Sequence, residues 1–254
     1  MLLAIDIGNT DITIGLHTGN EWIHRWRVPS LPDRPELFYG LKISENFLEA
    51  GLKAEQVEEI IMSSVVPGLT ETVTRVMMNL FGREPLLLGP EVYTRLPIKV
   101  MNPYEIGSDL VANALAAYTR FKTNCIVVDF GTALTFTIIS ASGEIVGVTI
   151  APGLRTALRA LSQNTAKLYD VPLEMPTSVL GKGTVHAIQA GVLVGYEGMV
   201  KHMVERIREE LGDPQAAVVA TGGLSAIVSS LSGVYTAVDP DLTLNGLRML
   251  HEYR

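Results

Sequence analysis

The chain is short of the features that mark several common protein classes. One cysteine in 254 residues, Cys125, excludes an intramolecular disulfide and fits a reducing cytoplasm. It opens the apolar run CIVVDF, which reads as core, not as a nucleophile. Aromatic residues are only 6% and charged residues 19%, and the formal net charge of -7 lacks the basic clustering of a general nucleic-acid surface. That balance leaves a phosphate-bearing small molecule open as a partner. No run approaches the ~20 apolar residues of a membrane span, and no basic segment opens the chain as in a signal peptide. The five histidines show no zinc-type spacing. With 47% hydrophobic residues, the expectation is an ordered, soluble, cytoplasmic protein that needs neither membrane nor nucleic acid.

What is present is a repeat. LAIDIGNTDITIGL (Leu3 to Leu16) and IVVDFGTALTFTII (Ile126 to Ile139) align without a gap, each an apolar strand with Asp, Gly and a Thr-bearing second strand. Both predict a hairpin with the acid and glycine at its bend. A third strand follows each, EWIHRWRV and EIVGVTIAPG. EQVEEIIMSSVVP reads as a helix end running into a buried strand, and AAVVATGG plays the same part later. TVHAIQAGVLVGYEGMVKHMVERIREEL is helical, with Ile188, Val192, Met199, Met203 and Ile207 at steps of four or seven. The simplest organisation is two similar α/β halves, residues 1–117 and 118–254, divided near SDLVANALAAYTRF. The closing DLTLNGLRMLHEYR is a short amphipathic helix able to pack back across the halves.

An acid in an apolar strand requires a reason, because a buried carboxylate costs several kcal/mol unless paired, hydrogen-bonded or metal-bound. A glycine turn lets backbone N–H groups wrap a phosphate, and an adjacent Asp then acts through a cation. For one copy an ordinary hairpin with a capping acid suffices; two aligned copies, at Asp6 and Asp129, favour phosphate binding. VVATGGLSAIV adds a third glycine turn, Gly222-Gly223, either a plain strand-to-helix junction or an adenosine-side turn. In NPYEIGSDLVANALAAY, Ser108 or Asp109 is either a helix N-cap or, for Asp109, the base that takes a proton from a substrate hydroxyl; the residues alone leave both open. Thr184, after Gly-Lys-Gly, reads as an N-cap or an anion contact, and Lys182 as a solvated loop charge. Gly191 and Gly195 suggest close helix packing, within the fold or at a dimer interface.

In that order, DIGNT, NPYEIGSD, DFGTALTF, IAPG...LSQNTAKL, GKGT and ATGG resemble the motif set of the type III pantothenate kinases over nearly the whole chain. The resemblance implies a duplicated ribonuclease H-like (actin-like ATPase) fold, two domains with ATP in the cleft between them, and a homodimer. It implies transfer of the ATP γ-phosphate to the terminal hydroxyl of pantothenate, opening coenzyme A synthesis, with Mg²⁺ and a monovalent cation, K⁺ or NH₄⁺. It puts Asp6, Ile7, Gly8, Asn9, Thr10, Asp11, Ile12 and Thr13 on the phosphates, with Asp6 toward Mg²⁺ directly or through water. Thr132 falls on the nucleotide, Asp129 on the monovalent cation, Asp109 on the general base, and Gly107, Ser108, Leu110 and Thr184 on the acceptor; beside the two phosphate hairpins, Gly222 and Gly223 read as the adenosine-side turn.

The departures from the family pattern lie on the acceptor side. Gly107-Ser108-Asp109-Leu110 stands where Gly-Ala-Asp-Arg is usual, and Leu110 cannot donate to a carboxylate. Val100 replaces a tyrosine, Gly147-Val148 a Gly-Gly pair, and Gly183 an asparagine. Lys182, Arg155 or a helix N-terminus would then meet the pantothenate carboxylate. The alternatives are the same chemistry on another alcohol, or a nucleotide-binding regulator without catalysis.

Overall fold

A computed structural model describes residues 1–19, 21–164, 171–225 and 231–253. Leu3, Ile5 and Ile7 alternate with Ala4 and Asp6 along β1 (Leu2–Ile7), so one face of the strand enters a core and the other presents the acid. β2 (Asp11–Thr18) and β3 (Glu21–Pro29) follow antiparallel, as the hairpin pattern predicts. α1 (Glu36–Glu49) turns Tyr39, Ile43 and Phe47 inward at steps of four. The helix end expected before the next strand is a single 3₁₀ turn, Ala54–Gln56, and β4 (Glu59–Ser64) then runs parallel to β1. α2 (Pro67–Phe81) starts on a proline in its first turn and stops at Gly82, whose φ of 64° closes a bond from its N–H to the Met78 carbonyl. β5 (Leu86–Leu87), the single-turn α3 (Pro90–Tyr93) and α4 (Ser108–Phe121) complete this stretch.

The second half repeats the plan. β6 (Cys125–Phe130), β7 (Ala133–Ile139) and β8 (Ile145–Pro152) form the antiparallel part, α5 (Leu154–Asn164) follows, and β9 (Ala217–Thr221) and β10 (Ala237–Val238) add parallel strands. The first sheet has the order β3-β2-β1-β4-β5 and the second β8-β7-β6-β9-β10, the same order twice. Between β8 and β9 in the chain, α6 (Thr184–Gln189) passes through a π-helical turn, Ala190–Val194, into α7 (Gly195–Leu211). Ile188 and Val192 are buried as the periodicity predicts, but beyond the π turn Tyr196, Val200 and Val204 take the innermost positions and Met199, Met203 and Ile207 pack beside them. The wide turn rotates the helix face.

The gapless alignment of the two hairpins does not survive. Ile7 pairs with Ile12 across a four-residue turn, whereas Phe130 pairs with Leu134 across three residues. A one-residue slip reverses every side chain of a strand. The shorter turn keeps Leu134, Phe136 and Ile138 in the core, the positions Ile12, Ile14 and Leu16 hold in the first copy. Thr13 therefore corresponds to Thr135, not to Phe136.

Two compact units result: Met1–Ala116 with Leu242–Arg254, and Ala117–Asp241. The C-terminal stretch thus leaves the 118–254 half. α8 (Leu242–Met249) packs on β1 and β4, with Leu242, Leu244 and Leu247 buried. Thr243 Oγ1 donates to Asn113 Oδ1 (2.8 Å), Trp22 Nε1 donates to Asn245 Oδ1 (2.8 Å), and Gly246 lies so close to Ala112 that any side chain would strike its backbone.

Gly191 and Gly195 do not serve intramolecular packing, since among the described residues a Cβ on either would meet nothing within 4 Å.

Candidate functional site

In the first unit Asp6 occupies the last outward position of β1, off the apolar face. Its neighbours in register are Thr13 on β2 and Ser63 on β4, so a carboxylate lies between two hydroxyls across three strands. Residues paired in register share a sheet face. These are hard oxygen donors only, the set that suits a hydrated Mg²⁺. The turn beyond is closed by the Gly8 N–H donating to the Asp11 carbonyl (3.0 Å), and Ser30, just past β3, clamps it through Oγ to the Gly8 carbonyl (2.6 Å) and N–H to the Thr10 carbonyl (2.9 Å). Asn9 and Thr10 are exposed at its tip. Ile7 and Ile12 belong to the core, so in the expected phosphate stretch they can offer only backbone.

Asp109 stands in the first turn of α4, as the capping signal predicts, but Ser108 is no cap. Its hydroxyl lies 2.9 Å from Ser63 Oγ, accepts from the Ser64 N–H (3.1 Å) and donates to the Ser64 carbonyl (3.2 Å). With the Ser63 hydroxyl donating to Ser108, all three bonds coexist. Ser63 is fully buried and in register with Asp6, so α4 is fastened to the strand beside that acid. The Asp109 carboxylate accepts from the Leu110 N–H (2.9 Å) and folds over Gly107, where a Cβ would collide with it. Burial holds its carboxyl above the usual range, and the N–H groups of Leu110 and Asp109 itself pull it partly back. Tyr93 of α3 is buried, and burial together with the nearby Asp109 charge pushes its phenol to about 12. Leu110 is nearly buried.

The second unit carries the matching row. Asp129 lies in register with Thr135 on β7 and Thr221 on β9. Gly222 takes φ +89°, and a Cβ there would come within 2.5 Å of Asp129 Oδ1 and 2.7 Å of the Phe130 backbone. Only glycine fits both conformation and space. Thr132 is exposed at the turn, its carbonyl accepting from the Gly153 N–H (3.0 Å) and Thr156 Oγ1 (2.7 Å). Asp129, Thr132 and Gly222 are thus brought to one corner of this unit, with Gly223 exposed next to them. Thr184 is exposed as the first residue of α6, with Gly183 in the cap position the sequence suggests for it. Lys182 and Arg155 are exposed. Residues 165–168 of LSQNTAKL and 226–228 of the third glycine turn lie outside the described residues.

A polar cavity of about 420 Å³ opens elsewhere in the first unit, lined by His17, Glu59, Arg248 and His251. It adjoins the start of β1, whereas Asp6 stands near its end, so it is not the phosphate turn.

The family model for type III pantothenate kinase matches residues 2–206. The chain belongs to the type III pantothenate kinase family. It is 44% identical over 252 residues to the type III pantothenate kinase of Anaeromyxobacter sp. (strain K), with 99% of each chain covered. It is 42% identical over 252 residues to that of Geobacter sulfurreducens, with 99% of this chain and 98% of the relative covered. Its membership makes it a phosphotransferase, and pantothenate phosphorylation in coenzyme A biosynthesis is its activity. Solved structures share its fold at low identity. A Campylobacter jejuni protein described as a Baf family transcriptional activator aligns at TM-score 0.61 and 18% identity, covering 98% of this chain and 97% of that one. A polyphosphate/ATP-glucomannokinase from Arthrobacter sp. strain KM aligns at 0.53 and 13%, covering 100% and 99%. The duplicated, actin-like α/β architecture is thereby established as the fold of this kinase.

Sequence reading missed Ser30, Ser63, Thr135 and Thr221. Ser63 and Thr221 become visible through the parallel pairing, Thr135 through a turn length that the gapless alignment misstates, and Ser30 through its hydrogen bonds to the turn.

Proposed function

We propose that Asp109 is the general base for transfer of the ATP γ-phosphate to the terminal hydroxyl of pantothenate. The supporting observation is its tethered, part-buried carboxylate, whose raised pKa makes it a better proton acceptor than a solvated aspartate. Asp6 through Thr13 hold the phosphates, chiefly through backbone N–H groups, and Asp6, with Thr13 beside it in register, holds Mg²⁺ directly or through water. Mg²⁺ held there would supply charge neutralisation for the transferring phosphoryl group. Thr132, Gly222 and Gly223 contact the nucleotide, Gly107, Ser108, Leu110 and Thr184 border the acceptor, and Asp129 holds K⁺ or NH₄⁺. The acceptor contact at Ser108 is made by its backbone, since its hydroxyl is engaged with β4.

We assign the enzyme to the cytoplasm as a homodimer. The buried lone Cys125 suits a reducing compartment. Supporting the dimer are Val146, Val148 and Ile150, exposed at alternate positions of the edge strand β8, and the open face at Gly191 and Gly195.

Purified protein supplied with ATP, Mg²⁺, K⁺ and pantothenate is expected to form 4'-phosphopantothenate, with Asp109→Asn losing that turnover. Full activity of Asp109→Asn contradicts the assignment. A second reading, the same transfer to a less anionic alcohol, is favoured by apolar Leu110 beside the base. Better turnover of a pantothenate amide than of the free acid would select it.

A further inference from the structure

The two carboxylate rows share their register, Thr13 corresponding to Thr135 and Ser63 to Thr221. In the first unit Ser63, the counterpart of Thr221, bonds Ser108. In the second, Thr135 is only 9% exposed, and its Oγ1 is fully buried with no hydrogen-bond partner among the described residues. An unsatisfied buried hydroxyl is costly, and a ligand from outside the chain would relieve that cost. Thr135 stands directly across from Asp129, on the same sheet face, so the two side chains are neighbours. On the other side of Asp129, Gly222 just past β9 lies so close that a Cβ would strike Asp129 Oδ1.

One further observation separates Thr135 from a packing accident. Thr137, two residues along the same strand, is 1% exposed and also has an orphaned hydroxyl. Its register neighbours are Val127 and Val148, with Val219 beyond, and that row holds no acid. A hydroxyl beside a carboxylate can share a hard cation, whereas one among valines cannot.

We propose that the Thr135 hydroxyl is a ligand, beside the Asp129 carboxylate, of the monovalent cation that this kinase binds. The inference rests on the assignment of Asp129 to that cation. Neutral oxygen next to a single carboxylate matches a large, singly charged ion; Thr221 flanks the carboxylate from the other side.

The test is thermal melting of the full chain with Mg²⁺ and a non-hydrolysed ATP analogue, titrating KCl against choline chloride at constant ionic strength. Wild type is expected to melt higher as K⁺ rises, because a ligand bound only by the folded state stabilises it. Thr135→Val should move the K⁺ midpoint up about tenfold or more, the usual scale for losing a partner at a metal site. Thr135→Ser should restore it, and Thr137→Val should leave it unchanged. An unmoved midpoint in Thr135→Val, with Asp129→Asn abolishing the response, overturns the role of Thr135 alone. A wild-type response that Asp129→Asn retains, or no wild-type response, overturns the cation assignment and this inference with it.

Discussion

The two units use one frame for two tasks. Each sheet runs in the same order and each places an aspartate between two hydroxyls, Thr13-Asp6-Ser63 and Thr135-Asp129-Thr221. In the first unit the β4 hydroxyl is turned inward, to a helix that delivers a second carboxylate, Asp109. In the second, the β7 hydroxyl of Thr135 has no hydrogen-bond partner among the described residues, and Gly222 just past β9 leaves no room for a side chain against Asp129. The backbone plan is repeated, and on the reading proposed above the two rows are given different tasks.

The largest effect should come from breaking the first unit's added acid. Asp109→Asn is expected to lower kcat by about 10²- to 10⁴-fold, the usual contribution of a positioned base, in a steady-state assay of 4'-phosphopantothenate. The same change should raise the melting temperature at neutral pH. The folded carboxyl has its pKa above the unfolded value, so the native state loses stability as pH rises through the folded value, and below the unfolded value there is no penalty. The amide avoids that loss, and the gain over wild type should vanish in acid.

In the second unit, Gly222→Ala must adopt a φ of +89° and displace Asp129 or Phe130, so a loss of about 1–3 kcal/mol from backbone strain alone is expected in urea unfolding. Ser108→Ala should cost about 1–3 kcal/mol by leaving the Ser64 N–H and Ser63 hydroxyl unsatisfied, and lower kcat more than it raises the KM for ATP. The smallest effect belongs to Thr137→Val. Replacing an orphaned hydroxyl by a methyl should leave stability equal or higher, within about 1 kcal/mol. A loss there would show that the hydroxyl has a partner after all.

Most of the architecture was legible because strand alternation and glycine turns are local. DIGNT and DFGT announced the hairpins, and Asp109 stood at a helix start. What stayed hidden depends on contacts distant in sequence. Ser108 resembles an N-cap until β4 is seen to claim its hydroxyl. Thr135 was concealed by one residue of turn length, since the gapless alignment sets Phe136 against Thr13. The closing helix belongs with the first unit because Gly246 lets it approach Ala112, a fit no periodicity reveals.

The most direct test of divergent rows is the K⁺ concentration giving half-maximal 4'-phosphopantothenate formation, measured for Asp6→Asn and Asp129→Asn. Asp129→Asn is predicted to raise that concentration, whereas Asp6→Asn lowers the rate at every K⁺ level without moving it. Equal K⁺ midpoints in the two variants would contradict the division of labour between the units.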